Sequence, residues 1–152
     1  IKALQSTEFQ VAILRPPMIY GKGCKGNYQT LVKLALKLPI FPYVKNQRSM
    51  LYIENLCEFV RLLVDSGESG LFCPQNAEYS NTSEMVKMIA EVRGKKIRLI
   101  KGFGWLIKFF SLFSKTLQKA FGTLIYEKNI GRDFNYIKVA FDLSIEKSEN
   151  RI

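Results

Sequence analysis

The sequence contains no histidine. That absence removes His-dependent nucleophilic triads, the usual near-neutral acid or base and the commonest zinc ligand together. Cysteine is scarce: Cys24, Cys57 and Cys73 are odd in number and far apart, without the paired spacing of a zinc or redox site. We expect reduced thiols. Cys24, beside Lys22 and Lys25, is either an activated thiol or a bystander. No apolar run has the length of a bilayer span, and no signal segment opens the chain, which begins with Ile. Acid is in deficit, with 13 acidic against 23 basic residues and a net charge of +10. Such an excess draws an anion of some kind, whether nucleotide, nucleic acid or membrane surface, unless a further part of the protein carries compensating acids. Glu54, Glu58 and Asp65 fall at helical spacing as a solvated face, and no nucleophile–base couple or metal-ligand set emerges. The expectation is a cytoplasmic piece of a longer protein, with no catalytic residue and no metal of its own.

At 152 residues and 47% hydrophobic composition the chain can bury one ordinary core. Residues 9–14 form a short apolar run rich in β-branched residues, the pattern of a strand buried on both faces of a parallel sheet. Pro16 and Pro17 stop it. Glycines 21, 23 and 26 allow tight turns before Asn27, which is placed to cap a helix through Leu38. Residues 40–44 and 48–53 flank the polar Lys45-Asn46-Gln47, predicting two strands around a turn. Glu54 or Asn55 then starts a helix with the apolar face Leu56, Phe59, Val60, Leu63 and Val64, ended near Gly67. A buried strand over residues 71–73, a helix capped within residues 81–84 and stopped at Gly94, and a strand over residues 97–100 follow.

The pattern changes over residues 103–121, where Trp105, Phe109, Phe110, Phe113 and Leu117 predict a helix apolar over most of its circumference. It is either buried or at an interface, or a basic amphipathic helix lying on a membrane. Leu124-Ile125-Tyr126 suggests a short strand, and a final helix starts near residue 141, capped at Asp142 or Ser144. Alternating helices and short strands make the fold class α/β.

Three segments carry a resemblance: Arg15-Pro16-Pro17-Met18-Ile19-Tyr20-Gly21, the glycine loop to Lys25-Gly26-Asn27, and Gln47-Arg48-Ser49-Met50-Leu51-Tyr52-Ile53-Glu54-Asn55. Together they resemble the extended short-chain dehydrogenase/reductase family. Within it the likeness is to NAD-dependent nucleotide-sugar epimerases and dehydratases of the UDP-glucose 4-epimerase type, over most of residues 1 to 100. The resemblance implies the carboxyl-terminal half of such an enzyme: a remnant of the Rossmann-type NAD-binding domain in residues 1–26, then the small mixed α/β substrate-binding domain in residues 27–152. The Tyr-x-x-x-Lys pair and the dinucleotide fingerprint would lie upstream of Ile1, leaving the isolated chain inactive. NAD would be bound mainly by that upstream half, with Pro16 and Pro17 passing the nicotinamide ring.

The resemblance also implies the substrate contacts. Arg48 would bind the diphosphate of a UDP-hexose, and Asn27 would contact its nucleotide part. Met18 stands where many 4-epimerases carry an Asn that hydrogen-bonds the sugar. The motif's usual Asp, His and final Asp read here as Ser49, Tyr52 and Asn55. From the residues alone, Arg48 follows a polar turn and opens a strand, so its planar fork is expected to project over the glycine loop and match phosphate oxygens bidentately. A homodimer is the expected assembly, with no nucleic-acid partner. The competing reading is a non-catalytic basic module that binds nucleic acid or anionic membrane.

Overall fold

Two prolines cut the first extended stretch into two strands that join different sheets. The computed structural model describes residues 9–102, 122–128 and 134–150. The helix expected over residues 103–121 lies outside the described residues. Within them the order is β1 Ala12–Leu14, β2 Met18–Tyr20, α1 Asn27–Lys37, β3 Ile40–Pro42, β4 Met50–Tyr52, α2 Ile53–Ser66, β5 Gly70–Phe72, α3 Thr82–Val92, β6 Arg98–Ile100 and α4 Phe141–Glu149. Among the described residues the three strand ladders are parallel: β1 pairs with β5, β2 with β4, and β3 with β6. Parallel neighbours require crossover connections, and α1, α2 and α3 lie in them. The chain is an α/β fold, as the alternation of periods predicts.

Several local expectations need correction. Residues 40–44 and 48–53 do not form a hairpin, because β3 belongs with β6 and β4 with β2. The intervening segment is tied to the start of α3 instead. Asn46 Nδ2 donates to Thr82 Oγ1 at 2.8 Å and Asn46 Oδ1 accepts from Thr82 N at 3.1 Å. Asn81 Nδ2 donates to the carbonyls of Val44 and Asn46. Side-chain amides thus take up backbone groups that a hairpin would have paired. Nor is β1 buried on both faces: Ala12 is exposed and Ile13 and Leu14 are half-buried. Among the described residues its only ladder neighbour is β5.

Helix ends follow the same logic. Asn81 caps α3, its Oδ1 accepting from Ser83 N at 2.9 Å and Glu84 N at 3.2 Å. Asn27 does not cap α1. It is the first helical residue, preceded by Gly26 at φ 112, and no side-chain cap bond forms there. α4 likewise starts after Ala140 and not at Asp142 or Ser144. The Ser144 hydroxyl is engaged elsewhere, 2.5 Å from Tyr20 OH. On α2 the buried stripe is Asn55, Phe59 and Leu63, while Val60 and Val64 face solvent.

The main core gathers Tyr20, Tyr28 and Tyr52 with Leu31, Ala35, Met85, Val86, Ile89 and, from α4, Ile145. The Tyr20 ring lies 5.4 Å from Tyr28 and 5.6 Å from Tyr52. Burial raises the pKa of the Tyr20 phenol, with the Ser144 and Asn76 bonds opposing it. A smaller cluster packs Phe59, Leu63 and Phe72 against Phe134 and Tyr136.

Candidate functional site

The parallel register of β2 and β4, with Met18 opposite Met50 and Tyr20 opposite Tyr52, organises the site. Pro16-Pro17 and Arg48-Ser49 therefore enter at the same end of the ladder. The glycine loop, Gly21 to Gly26, leaves from the other end. Pro17 is buried, and Pro16 and Met18 are half-buried, Met18 against the main core. Asn27 is exposed at the start of α1.

The backbone of Arg48 is fixed from both sides. Arg48 N donates to Ser80 O and Ser80 N to Arg48 O, each at 2.9 Å, while Ser49 N donates to Leu124 O at 2.9 Å. The side chain is only 7% exposed, and Nη1 donates to the Gly122 carbonyl at 3.4 Å. Burial pulls its pKa below the ordinary value, although a guanidinium remains charged in proteins. The expected projection over the glycine loop does not hold. The ladder alone puts about 10 Å between that loop and the end where Arg48 enters, and the guanidinium turns inward to Gly122. The structure thus places Arg48 at the end of the ladder that Pro16, Pro17 and Met18 enter, with Ser80 and Leu124 as its own backbone neighbours, and Asn27 beyond the opposite end.

Along β4 and into α2 runs a buried polar network that sequence periodicity does not show. Ser49 Oγ donates to Gln75 Oε1 at 2.7 Å and accepts from Tyr126 N at 2.8 Å. Gln75 Nε2 donates to Glu127 O at 2.9 Å. Asn76 Oδ1 accepts from Tyr52 N at 3.1 Å, and its Nδ2 donates to Tyr20 OH at 2.9 Å. Asn55 holds a third segment: its Nδ2 donates to Val139 O at 2.9 Å, and its Oδ1 accepts from Lys138 N and Val139 N at 3.0 Å each. Pro74-Gln75-Asn76 has the composition of a surface loop, so only its burial marks it. Outside the network, an open cleft of about 510 Å³ borders Gln47 and Ser80.

The loop glycines also have the Gly-x-Gly-x-x-Gly spacing of a dinucleotide-binding turn. The geometry does not fit that role. In such a turn the third glycine permits close helix–strand packing within a βαβ unit, whereas a Cβ on Gly23 or Gly26 would meet nothing within 4 Å. The strand after α1 pairs with β6 and not with β2. Gly21 is required for a different reason. At φ 151, a Cβ there would lie 2.4 Å from Ile53 Cγ2. Gly21→Ala is expected to destabilise the chain by about 1–3 kcal/mol, measured as a lowered midpoint in urea. An unchanged midpoint would show that Ile53 moves aside freely.

Among the described residues no group of three His, Cys, Asp or Glu side chains could hold a metal ion, and no helix is long and apolar enough to cross a membrane. No family model matches the sequence. A curated relative, UDP-glucose 4-epimerase of Vibrio cholerae, is 29% identical over 128 residues, which cover 79% of this chain and 39% of that protein. UDP-N-acetylglucosamine 4-epimerase from Bacillus cereus is similar in structure at a TM-score of 0.59 and 13% identity, over 92% of this chain and 47% of that one. UDP-glucuronic acid 4-epimerase from Bacillus cereus, solved in complex with NAD, aligns at a TM-score of 0.56 and 13% identity, over 93% and 44%. The dTDP-glucose 4,6-dehydratase from Bacillus anthracis, also with NAD, aligns at 0.54 and 15% identity, over 91% and 43%. This chain thus spans less than half of the length of each of these proteins. In sequence and in fold, it is similar to the NAD-dependent epimerases and dehydratases of the extended short-chain dehydrogenase/reductase type.

Proposed function

We propose that this chain is the substrate-binding part of an NAD-dependent nucleotide-sugar epimerase or dehydratase, acting on a UDP-hexose. The observation that carries the reading is the β2–β4 register, which sets Met18 opposite Met50, so that Pro16-Pro17 and Arg48-Ser49 lead into the same end of the ladder although some thirty positions of sequence separate them. Arg48 takes the diphosphate. Its guanidinium is held in a desolvated setting where a charge-assisted pair is stronger than in water. Pro16 and Pro17 adjoin the nicotinamide. Met18 and Asn27 make further substrate contacts, Asn27 from the exposed start of α1.

In this reading residues 1–26 belong to the cofactor side and residues 27–152 to the substrate side, with the β1–β5 and β2–β4 ladders joining the two directly. NAD supplies hydride chemistry, and the groups that hold it and move the proton come from outside residues 1–152. The assembly is a homodimer in the cytoplasm. The isolated chain is therefore expected to show no saturable micromolar binding of NAD in calorimetry and no turnover of UDP-sugars. Micromolar NAD binding by residues 1–152 would contradict the assignment, since it would require a phosphate cradle that the glycine loop does not provide.

A further inference from the structure

Six cations converge on one face that the nucleotide-sugar reading leaves unused. Lys33 and Lys37 lie one turn apart on α1 and are both exposed. The α3–β6 turn comes against the end of α1, where Lys95 Nζ donates to the Leu36 carbonyl. β6 then pairs alongside β3, with Arg98 opposite Ile40 and Arg98 N donating to Pro39 O at 3.1 Å. Lys96, Arg98 and Lys101 are exposed on this edge. Among the described residues no ion pair engages Lys33, Lys37, Lys95, Lys96, Arg98 or Lys101. The neighbouring Glu91 pairs with Lys87 at 3.6 Å, and Arg93 is taken by Glu149.

Two aliphatic side chains on the same elements are exposed, with Ile40 opposite Arg98. Leu38 is 38% exposed and Ile40 is 49% exposed. In sequence the chain continues past Lys101 into Trp105, Phe109, Phe110 and Phe113 with Lys108, Lys115 and Lys119 and no acid.

We propose that this face docks on an anionic lipid surface, with phosphate headgroups against the cations and Leu38 and Ile40 entering the headgroup–acyl boundary. Charge complementarity selects an anionic partner. The exposed aliphatic pair selects lipid over nucleic acid, since the ring at this edge, Tyr43, is half-buried with Lys101 Nζ 5.8 Å from its centroid and not open for a base to stack on. Long lysine stems suit such a boundary, since they lie along apolar material while the ammonium stays in water.

The test is co-sedimentation of the full chain with vesicles of phosphatidylcholine containing phosphatidylglycerol, against vesicles of phosphatidylcholine alone. Binding is expected only to the anionic vesicles and is expected to weaken as salt rises. Lys95→Gln with Lys96→Gln and Arg98→Gln should lower the partition coefficient on the order of a hundredfold. Leu38→Ser with Ile40→Ser should lower it on the order of tenfold. Both variants should keep the wild-type circular dichroism spectrum. Absence of binding to anionic vesicles would overturn the proposal. So would a triple variant that binds like wild type, or equally tight binding to a single-stranded RNA. UDP-hexose binding is unaffected by any of these outcomes, so the two readings fail separately.

Discussion

Arg48→Ala is expected to weaken binding of every UDP-hexose by about ten- to a hundredfold in the polypeptide extended upstream of Ile1. The loss corresponds to one charge-assisted contact of roughly 1.5–3 kcal/mol. NAD affinity should hardly change, because in the proposed role the contact is made to the diphosphate of the nucleotide sugar and not to the cofactor. Arg48→Lys should recover only part of the loss: a point charge keeps the attraction and forfeits the planar two-point geometry. Because the side chain is only 7% exposed, truncation also leaves a void, and a control for folding is needed. Arg48→Met fills much of that space without charge. If Arg48→Met shows the same loss of UDP-hexose affinity while its urea midpoint stays near wild type, the effect belongs to the ligand and not to packing. An unchanged substrate constant in both neutral variants would leave Arg48 a structural residue that serves the Gly122 carbonyl.

Asn55→Leu should produce the largest loss of stability among the single substitutions considered. Asn55 is 1% exposed and satisfies three backbone groups of Lys138 and Val139. An aliphatic side chain of similar size fills the space and leaves those groups without their partner. At about 1–3 kcal/mol for a buried unsatisfied group, with Lys138 N still donating to Tyr136 O at 3.0 Å and the two Val139 groups left unpaired, the cost is about 3 kcal/mol. For a chain of this length that lowers the melting temperature by roughly 6–12 °C. Asn55→Asp keeps the two acceptor bonds and loses the donor to Val139 O, so it should fall between the two. Equal melting temperatures for Asn55→Leu and wild type would show that the 138–139 segment is held by its own packing.

The position of Asn55 shows what the sequence made legible and what it did not. The motif around Arg48 marks a strand followed by a helix, and β4 and α2 form there. Its last position, Asn55, reads from sequence as a helix start or a departure from a carboxylate. Nothing local announces that its amide reaches a segment more than eighty positions away. The same holds for Gln75 and Asn76, whose side chains are buried although their composition is that of a loop. Most strands were legible as short apolar runs, but β2 was not, since the prolines and glycines around it read as a loop, and partner choice was not legible for any of them. The three-residue strands carry too short a pattern to specify a register, and the amides of Asn46 and Asn81 decided against the hairpin. Caps followed the sequence where one polar side chain faced two free N–H groups, as at Asn81. They departed from it where glycine supplied the turn, as at Gly26 before Asn27. The inward course of Arg48 depended on Ser80 and Gly122, which no spacing around Arg48 reveals.

The assignment of Arg48 to the diphosphate is tested most directly by a crystal structure of the upstream-extended polypeptide with a bound UDP-hexose. The account predicts the Arg48 guanidinium within hydrogen-bond distance of two diphosphate oxygens, at about 2.7–2.9 Å, and Pro16-Pro17 alongside the nicotinamide ring. A diphosphate held elsewhere, with Arg48 still turned to the Gly122 carbonyl, would contradict it.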